Sequence, residues 1–359
     1  MRMMEPGKRG ASQLELLAPR PMSTGLPASP PTRLPLLDQR SRGTKFIELS
    51  VNSVLNTPAA TGMGFWSINP YVGCEFGCTY CYARDTHRWT MERAGCPPAL
   101  PPWEAFEKEI LVKTEVAEVL ARTLNPARIA GHSLVIGTAT DPYQPAERRF
   151  RLTRRILEVL GAYHGLSISI ITKSPLITRD LDLLQTLSNH NEVTVNISLG
   201  TADSRLARRL ELRSPVPGAR LRALRRLNES GIYAGLLVAP IIPGITDDWA
   251  GLARLMEAAK EAGARYVVGS ALRLGPAARH RFLPYLEREF PELAERYRRH
   301  YAGKDHVSQS YQDALSRRLH ALQQAYGFAV DEGRRRRRQL EGRMPRNQTA
   351  SPTAQPILL

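Results

Sequence analysis

Cysteine is scarce: the 359 residues hold four, and three of these fall within the eight residues Cys74 to Cys81. Neighbours that close would have to bridge inside one tight loop, which disulfide geometry resists, so a disulfide scaffold is excluded. No run of about 18 apolar residues occurs, which excludes a spanning helix of the usual kind. The first 20 residues lack the apolar core and small-residue cleavage site of a secretory signal, so a cytoplasmic place is expected. No repeat at a solenoid period and no glycine-serine linker divides the middle of the chain, which points to one domain there.

What is present suits a folded protein, with 42% hydrophobic and 23% charged residues. The net charge of +16 invites a nucleic-acid partner, but the tails carry half of it. Residues 1–42 have seven Lys or Arg against three Asp or Glu and contain seven prolines, and residues 331–359 have the same charge balance around the run Arg334, Arg335, Arg336, Arg337, Arg338. Neither stretch has a periodic apolar face, so both are expected to be disordered tails. The domain is placed at residues 43–330, with a helical C-terminal extension.

Six apolar runs read as strands: Phe65 to Tyr71, Leu134 to Ala139, Ser167 to Thr172, Val193 to Leu199, Ala234 to Ala239 and Tyr266 to Leu272. Amphipathic stretches lie between them, such as Leu152, Ile156, Leu157, Leu160, and Trp249, Leu252, Leu255, Met256, Ala259 ahead of Gly263. Such alternation implies an α/β fold with parallel pairing, either a doubly wound sheet or a partial (β/α)6 TIM-like barrel. Polar residues stand at or near the ends of four successive strands: Cys74, Thr140 with Asp141, Lys173 with Ser174, and Asn196 with Ser198. Convergence from four strands favours the barrel mouth, because an open-sheet crevice draws on strands around one switch point.

The spacing Cys74-x3-Cys78-x2-Cys81, with Gly73 and Gly77 in the loop, lets three thiolates bind three irons of a 4Fe-4S cluster and leaves the fourth iron open. The alternative is zinc closed by His87 or Cys96, although no second C-x2-C pair exists to favour it. In the segment Thr140-Asp141-Pro-Tyr143-Gln144-Pro-Ala-Glu147, the oxygens offer acceptors for a bound ammonium, while Glu147 reads equally as a helix start. Arg179 and Asp180 read as a structural pair.

Cys74, Cys78 and Cys81, with Tyr80 before the last, resemble the signature of the radical S-adenosylmethionine (radical SAM) enzymes. SINPYVGCEFGCTYCYAR, TATDPYQPAE, ITKSPLITRDLDLL, VNISL and GIYAGLLVAPIIPGITD resemble, in order, the branch that contains spore photoproduct lyase, over about residues 45–330. The resemblance implies a 4Fe-4S cluster and S-adenosyl-L-methionine as cofactors. It also implies reductive cleavage to a 5′-deoxyadenosyl radical that takes hydrogen from a substrate, and an external flavodoxin- or ferredoxin-like one-electron donor. It places Tyr80 near the adenine, with Tyr82 in the same shell, and Lys173 and Ser198 on the cofactor's carboxylate and ribose. The branch's photoproduct lyases carry a hydrogen-donating cysteine just before the acid after the second strand. Here Gly137, Thr138, Ala139, Thr140 and Asp141 occupy that stretch, and Cys96 does not match the position. The substrate is therefore open, with a nucleic-acid base as one candidate. The competing reading is a nucleic-acid-binding protein whose iron-sulfur or zinc site is structural and whose basic tails grip phosphate.

Overall fold

The Ile, Val and Leu runs become strands, and the amphipathic stretches become the helices between them. The computed structural model describes residues 36–39, 43–61, 64–93 and 100–328, all within one unit, Arg33–Leu359. Cys96 and the expected tails, except Leu36–Gln39, lie outside the described residues. In chain order the strands are β1 (Leu36–Gln39), β2 (Lys45–Glu48), β3 (Leu55–Asn56), β4 (Trp66–Ile68), β5 (Tyr71–Val72), β6 (Glu109–Val112), β7 (Ser133–Ile136), β8 (Ser167–Thr172), β9 (Glu192–Ser198), β10 (Tyr233–Ile241) and β11 (Val267–Ala271).

The larger sheet has the order β11-β10-β9-β8-β7-β4-β3. Its first six members pair in parallel, and β3 closes one edge antiparallel to β4. Spatial order follows chain order without a reversal, so right-handed crossovers put every connecting helix on the same face. A doubly wound sheet needs a reversal to cover both faces. The chain thus forms the expected α/β fold, a partial (β/α)6 barrel. Ile168, Ile170, Val193, Val195 and Ile197 are fully buried against Ile156, Leu157, Leu160, Leu255 and Met256 of the helices Leu152–Leu160 and Trp249–Glu261. The second helix starts at Asp248, which accepts from Gly251 N at 2.7 Å. It ends before Gly263, whose φ of +70° suits the expected C′ role.

Two expectations are corrected. The run Phe65 to Tyr71 is not one strand: β4 joins the large sheet, and β5 pairs antiparallel with β6 in a smaller sheet ordered β1-β2-β6-β5. Pro70 stands at the break, where it has no N–H to donate to a ladder. The expected N-terminal tail contains β1, which pairs with β2 and packs Leu37 against the core.

The C-terminal extension comprises the helices Pro276–Glu289, Pro291–Tyr301 and Gln309–Ala325. Phe282, Tyr285, Leu286, Tyr297 and Tyr301 from the first two build a second core with Cys74, Phe76, Cys78, Tyr80 and Leu210. The cysteine loop is therefore clamped between the barrel end and these helices. No helix among the described residues is long and apolar enough to cross a membrane.

Candidate active site

The cysteine loop leaves β5 through Gly73, whose φ is +93°. A Cβ there would lie 2.8 Å from the Phe106 carbonyl oxygen, so glycine is required on both conformational and steric grounds. At Gly77 the φ of +64° favours glycine on conformational grounds, while the atom nearest an added Cβ is the movable guanidinium end of Arg213. Cys74 N donates to the Phe106 carbonyl at 2.8 Å. On the other side, Thr79 N donates to Leu210 O at 3.0 Å and Arg213 N to Phe76 O at 3.0 Å, framing an antiparallel bridge between Cys78 and Glu211. The carbonyls inside the loop are held by guanidiniums: Arg84 Nη2 donates to Cys78 O at 2.7 Å, and Arg213 Nε donates to Glu75 O at 2.5 Å. Both arginines pair with Glu107.

Lys173, just past the end of β8, reaches across to Ser198 at the end of β9, with Nζ donating to Oγ at 2.9 Å. The ammonium stands 3.9 Å from Glu211 Oε1 and 5.9 Å from the centre of the Tyr80 ring. Glu211 also accepts from the Tyr80 hydroxyl and from Arg220. Arg220 is 1% exposed and donates in addition to Ser198 O at 2.9 Å and Pro215 O at 2.8 Å. Burial works against the charge on Lys173, but Glu211 and Cys78 outweigh it and raise its pKa. Burial likewise disfavours the Glu211 carboxylate, yet Arg220 and Lys173 outweigh it and hold its pKa below the ordinary range. A narrow recess opens beside this network, lined among others by Tyr80, Leu199, Gly200, Pro240, Ile242 and Thr246.

Thus Tyr80, Lys173 and Ser198 come together beside the cysteines. Thr140 and Asp141 are present at the same strand ends, but their side chains are bonded to the protein. Thr140 Oγ1 donates to Gly73 O at 2.6 Å and accepts from Gln144 Nε2 at 3.0 Å. Gln144 Oε1 in turn accepts from Glu75 N at 2.9 Å, so this pair braces the cysteine loop. Asp141 accepts from Thr172 Oγ1 at 2.6 Å, Lys173 N at 2.7 Å and Tyr143 N at 2.9 Å. Tyr82 donates its hydroxyl to Thr138 O. Asn196 donates to Ser169 Oγ and accepts from Tyr266 OH, inside the sheet. Glu147 is buried and accepts from Tyr71 OH at 2.6 Å and from Arg179, which also holds Asp180, as a structural pair should. Glu211 and Arg220 were not singled out in the sequence.

The three cysteines are free thiols. Burial raises all three: Cys74 well above the ordinary value with Asp141 adding to it, Cys78 to about 12, and Cys81 less far because Arg84 opposes the rise. Such thiols become thiolates when a cation binds and supplies the missing charge. Among the described residues no three His, Cys, Asp or Glu side chains are grouped so that they could hold one metal ion. His87, the fourth ligand of the zinc alternative, places Nε2 2.8 Å from the Glu109 carbonyl instead. Ligands of a cubane bind separate irons and stand farther apart than ligands of a single ion. Three free thiols on one loop are donors of the kind such a cluster takes.

The sequence model described as the Radical SAM superfamily matches residues 68–256. An uncharacterised protein of Mycobacterium tuberculosis is 35% identical over 291 residues, covering 80% of this chain and 83% of that one. An uncharacterised protein of Methanocaldococcus jannaschii is 26% identical over 260 residues, covering 70% and 86%. Among solved structures, a spore photoproduct lyase variant with bound AdoMet and dinucleoside spore photoproduct superposes with a TM-score of 0.58 at 15% identity, over 78% of this chain and 79% of that one. That likeness is one of fold.

Proposed function

The chain belongs to the radical SAM superfamily, and from that premise we propose that it holds a 4Fe-4S cluster on Cys74, Cys78 and Cys81 and cleaves S-adenosylmethionine reductively to take hydrogen from a substrate. The observation that carries this reading is the Lys173, Ser198, Glu211 and Tyr80 network set against the thiols. When bound, the cluster supplies one electron to the sulfonium of S-adenosylmethionine, giving methionine and a 5′-deoxyadenosyl radical.

The chain's own residues bind and orient. Lys173 can trade its bond to Ser198 Oγ for the cofactor's carboxylate, and Ser198 is then free to meet a ribose hydroxyl. Glu211, fixed by Arg220, keeps that ammonium charged and pins the Tyr80 hydroxyl, so the Tyr80 ring forms one wall of the recess. The mostly apolar lining from Leu199, Pro240 and Ile242 suits the flat adenine. Thr140 and Gln144 act through Gly73 and Glu75 on the loop, and Asp141 acts through the backbone of Lys173; all three are positioning residues. A spore photoproduct lyase of the same fold has been solved with AdoMet bound, which supports this cofactor here. In the competing reading, a binding protein with a structural metal, the buried Lys173, Glu211 and Arg220 array would serve stability alone.

Anaerobic reconstitution with iron and sulfide, then dithionite and S-adenosylmethionine, tests the proposal: 5′-deoxyadenosine and methionine should form in equal amounts. Stoichiometric zinc without iron uptake, or an iron-loaded protein that makes neither product, would overturn it.

A further inference from the structure

The short ribbon that covers the cysteine loop has two unlike faces. Glu211 is 5% exposed and points to Tyr80 and Arg220, whereas the next residue, Leu212, is 39% exposed, as alternation along an extended segment requires. Leu212 is thus an apolar side chain on the outer surface, one residue from the segment paired with Cys78.

Arginines surround it. Arg208 Nη1 donates to Leu212 O at 3.1 Å, and Arg213 lies over Gly77. Arg281 stands 3.4 Å from Glu107, the acid shared with Arg213. Seven residues on along the same helix, and so on the same side, Arg288 pairs with Glu289 at 3.0 Å; Arg209 pairs with that glutamate at 3.1 Å. Four of these arginines share two glutamates while Arg208 holds the Leu212 carbonyl, so positive charge is in excess beside one exposed leucine.

From this placement, and resting on the function proposed above, we infer that the Leu212 surface with Arg208, Arg209, Arg213, Arg281 and Arg288 is the docking face for a small acidic one-electron donor protein of the flavodoxin or ferredoxin class. Complexes that pass electrons are small and weak, commonly under about 1,200 Å², and are steered by opposite charge around a modest apolar centre. The face meets that description, and its centre Leu212 follows the residue bridged to Cys78 but points away from Glu211 and does not line the cofactor recess, so a donor can sit there while that recess stays open. In the transfer one electron leaves the reduced donor and one enters the cluster; no bond forms or breaks and no proton moves. Nucleic acid would also be drawn to the arginines, but the exposed Leu212 at the centre has nothing to offer a phosphate.

The test uses the full chain, reconstituted with iron and sulfide, and two probes: an acidic flavodoxin with its NADPH-dependent reductase, and a ferredoxin. Binding is measured by calorimetry and cluster reduction by electron paramagnetic resonance. Arg208→Glu with Arg288→Glu, and separately Leu212→Glu, should weaken binding and slow donor-driven reduction at least tenfold, with iron content and dithionite-driven reduction unchanged. Wild-type binding should weaken as salt rises. Wild-type behaviour in both variants would overturn the inference, as would the absence of saturable binding of either probe to the wild type. So would variants that lose only the retention of an oligonucleotide, which would reassign the face to nucleic acid. Failure of the wild type to load iron, or to cleave S-adenosylmethionine with dithionite, would instead overturn the proposed function, and this surface with it.

Discussion

Glu211→Gln removes one charge from the most buried ionic group at the site and leaves the shape almost unchanged. Breaking a buried pair by removing one partner costs about 3–5 kcal/mol, since the remaining charge is stranded. Here the lower end applies: Gln still offers an acceptor to Tyr80, and Arg220 keeps Ser198 O and Pro215 O. A loss of about 3 kcal/mol in a chain of this size corresponds to a fall in Tm of about 4 °C. The pH dependence has a definite sign. Folding lowers the pKa of Glu211, so its contribution is fully present above the unfolded value of about 4.3 and disappears as pH falls through the lower folded value. Circular dichroism melts from pH 7 down to pH 3 should show this component in the wild type and not in Glu211→Gln. Replacing both partners, as Glu211→Leu with Arg220→Met, should recover part of the loss, because neither charge is then left alone. A Tm within 1 °C of wild type for Glu211→Gln, or strictly additive effects of the two single apolar replacements, would refute the reasoning.

Cys74→Ala, Cys78→Ala and Cys81→Ala should each abolish stable binding of about four irons, measured by iron assay and visible absorption, whereas Cys96→Ala should leave both intact. Lys173→Ala and Ser198→Ala should each weaken S-adenosylmethionine binding by about 1–3 kcal/mol in calorimetry, with normal iron content; unchanged affinity in both would put the cofactor elsewhere. Gly73→Ala should lower Tm and iron retention together, since a Cβ there has neither space nor an easy φ. Deleting residues 331–359 should reduce salt-sensitive retention of oligonucleotides while leaving reductive cleavage of S-adenosylmethionine unchanged, as assayed by product chromatography.

The parts of the molecule that were readable in advance are those encoded locally. Three cysteines within one turn-rich loop, apolar strands followed by polar residues, and a helical stretch ended by Gly263 all announce themselves over a few residues. Lys173 and Ser198 could be picked out because each follows or ends a recognisable strand, and their side chains meet at 2.9 Å. Glu211 escaped because its partners are remote: 131 residues separate it from Tyr80, and nothing in an isolated glutamate tells that it will be buried. Thr140 and Asp141 are expected as acceptors for a bound ammonium, and in the structure both side chains are bonded within the protein. Strand-end position does not disclose whether a side chain turns to the mouth or back to Gly73 and Lys173. The break at Pro70 was available as a signal, since a residue without an N–H fits poorly inside a run expected as a single strand.

The ribbon over the cysteine loop also has a meaning for the order of events during synthesis. The thiols emerge from the ribosome early, while the segment that seals them is translated much later: 136 residues separate Cys78 from Ser214. At about 5–20 residues per second, that interval lasts about 7–27 s. Throughout it the loop lacks its bonds to Leu210 and Arg213, and the helix bearing Arg281 has yet to be made. The nascent chain therefore offers its three cysteines to solvent, to iron-sulfur carriers and to oxidants alike, and translation speed through residues 78–214 sets how long that window stays open.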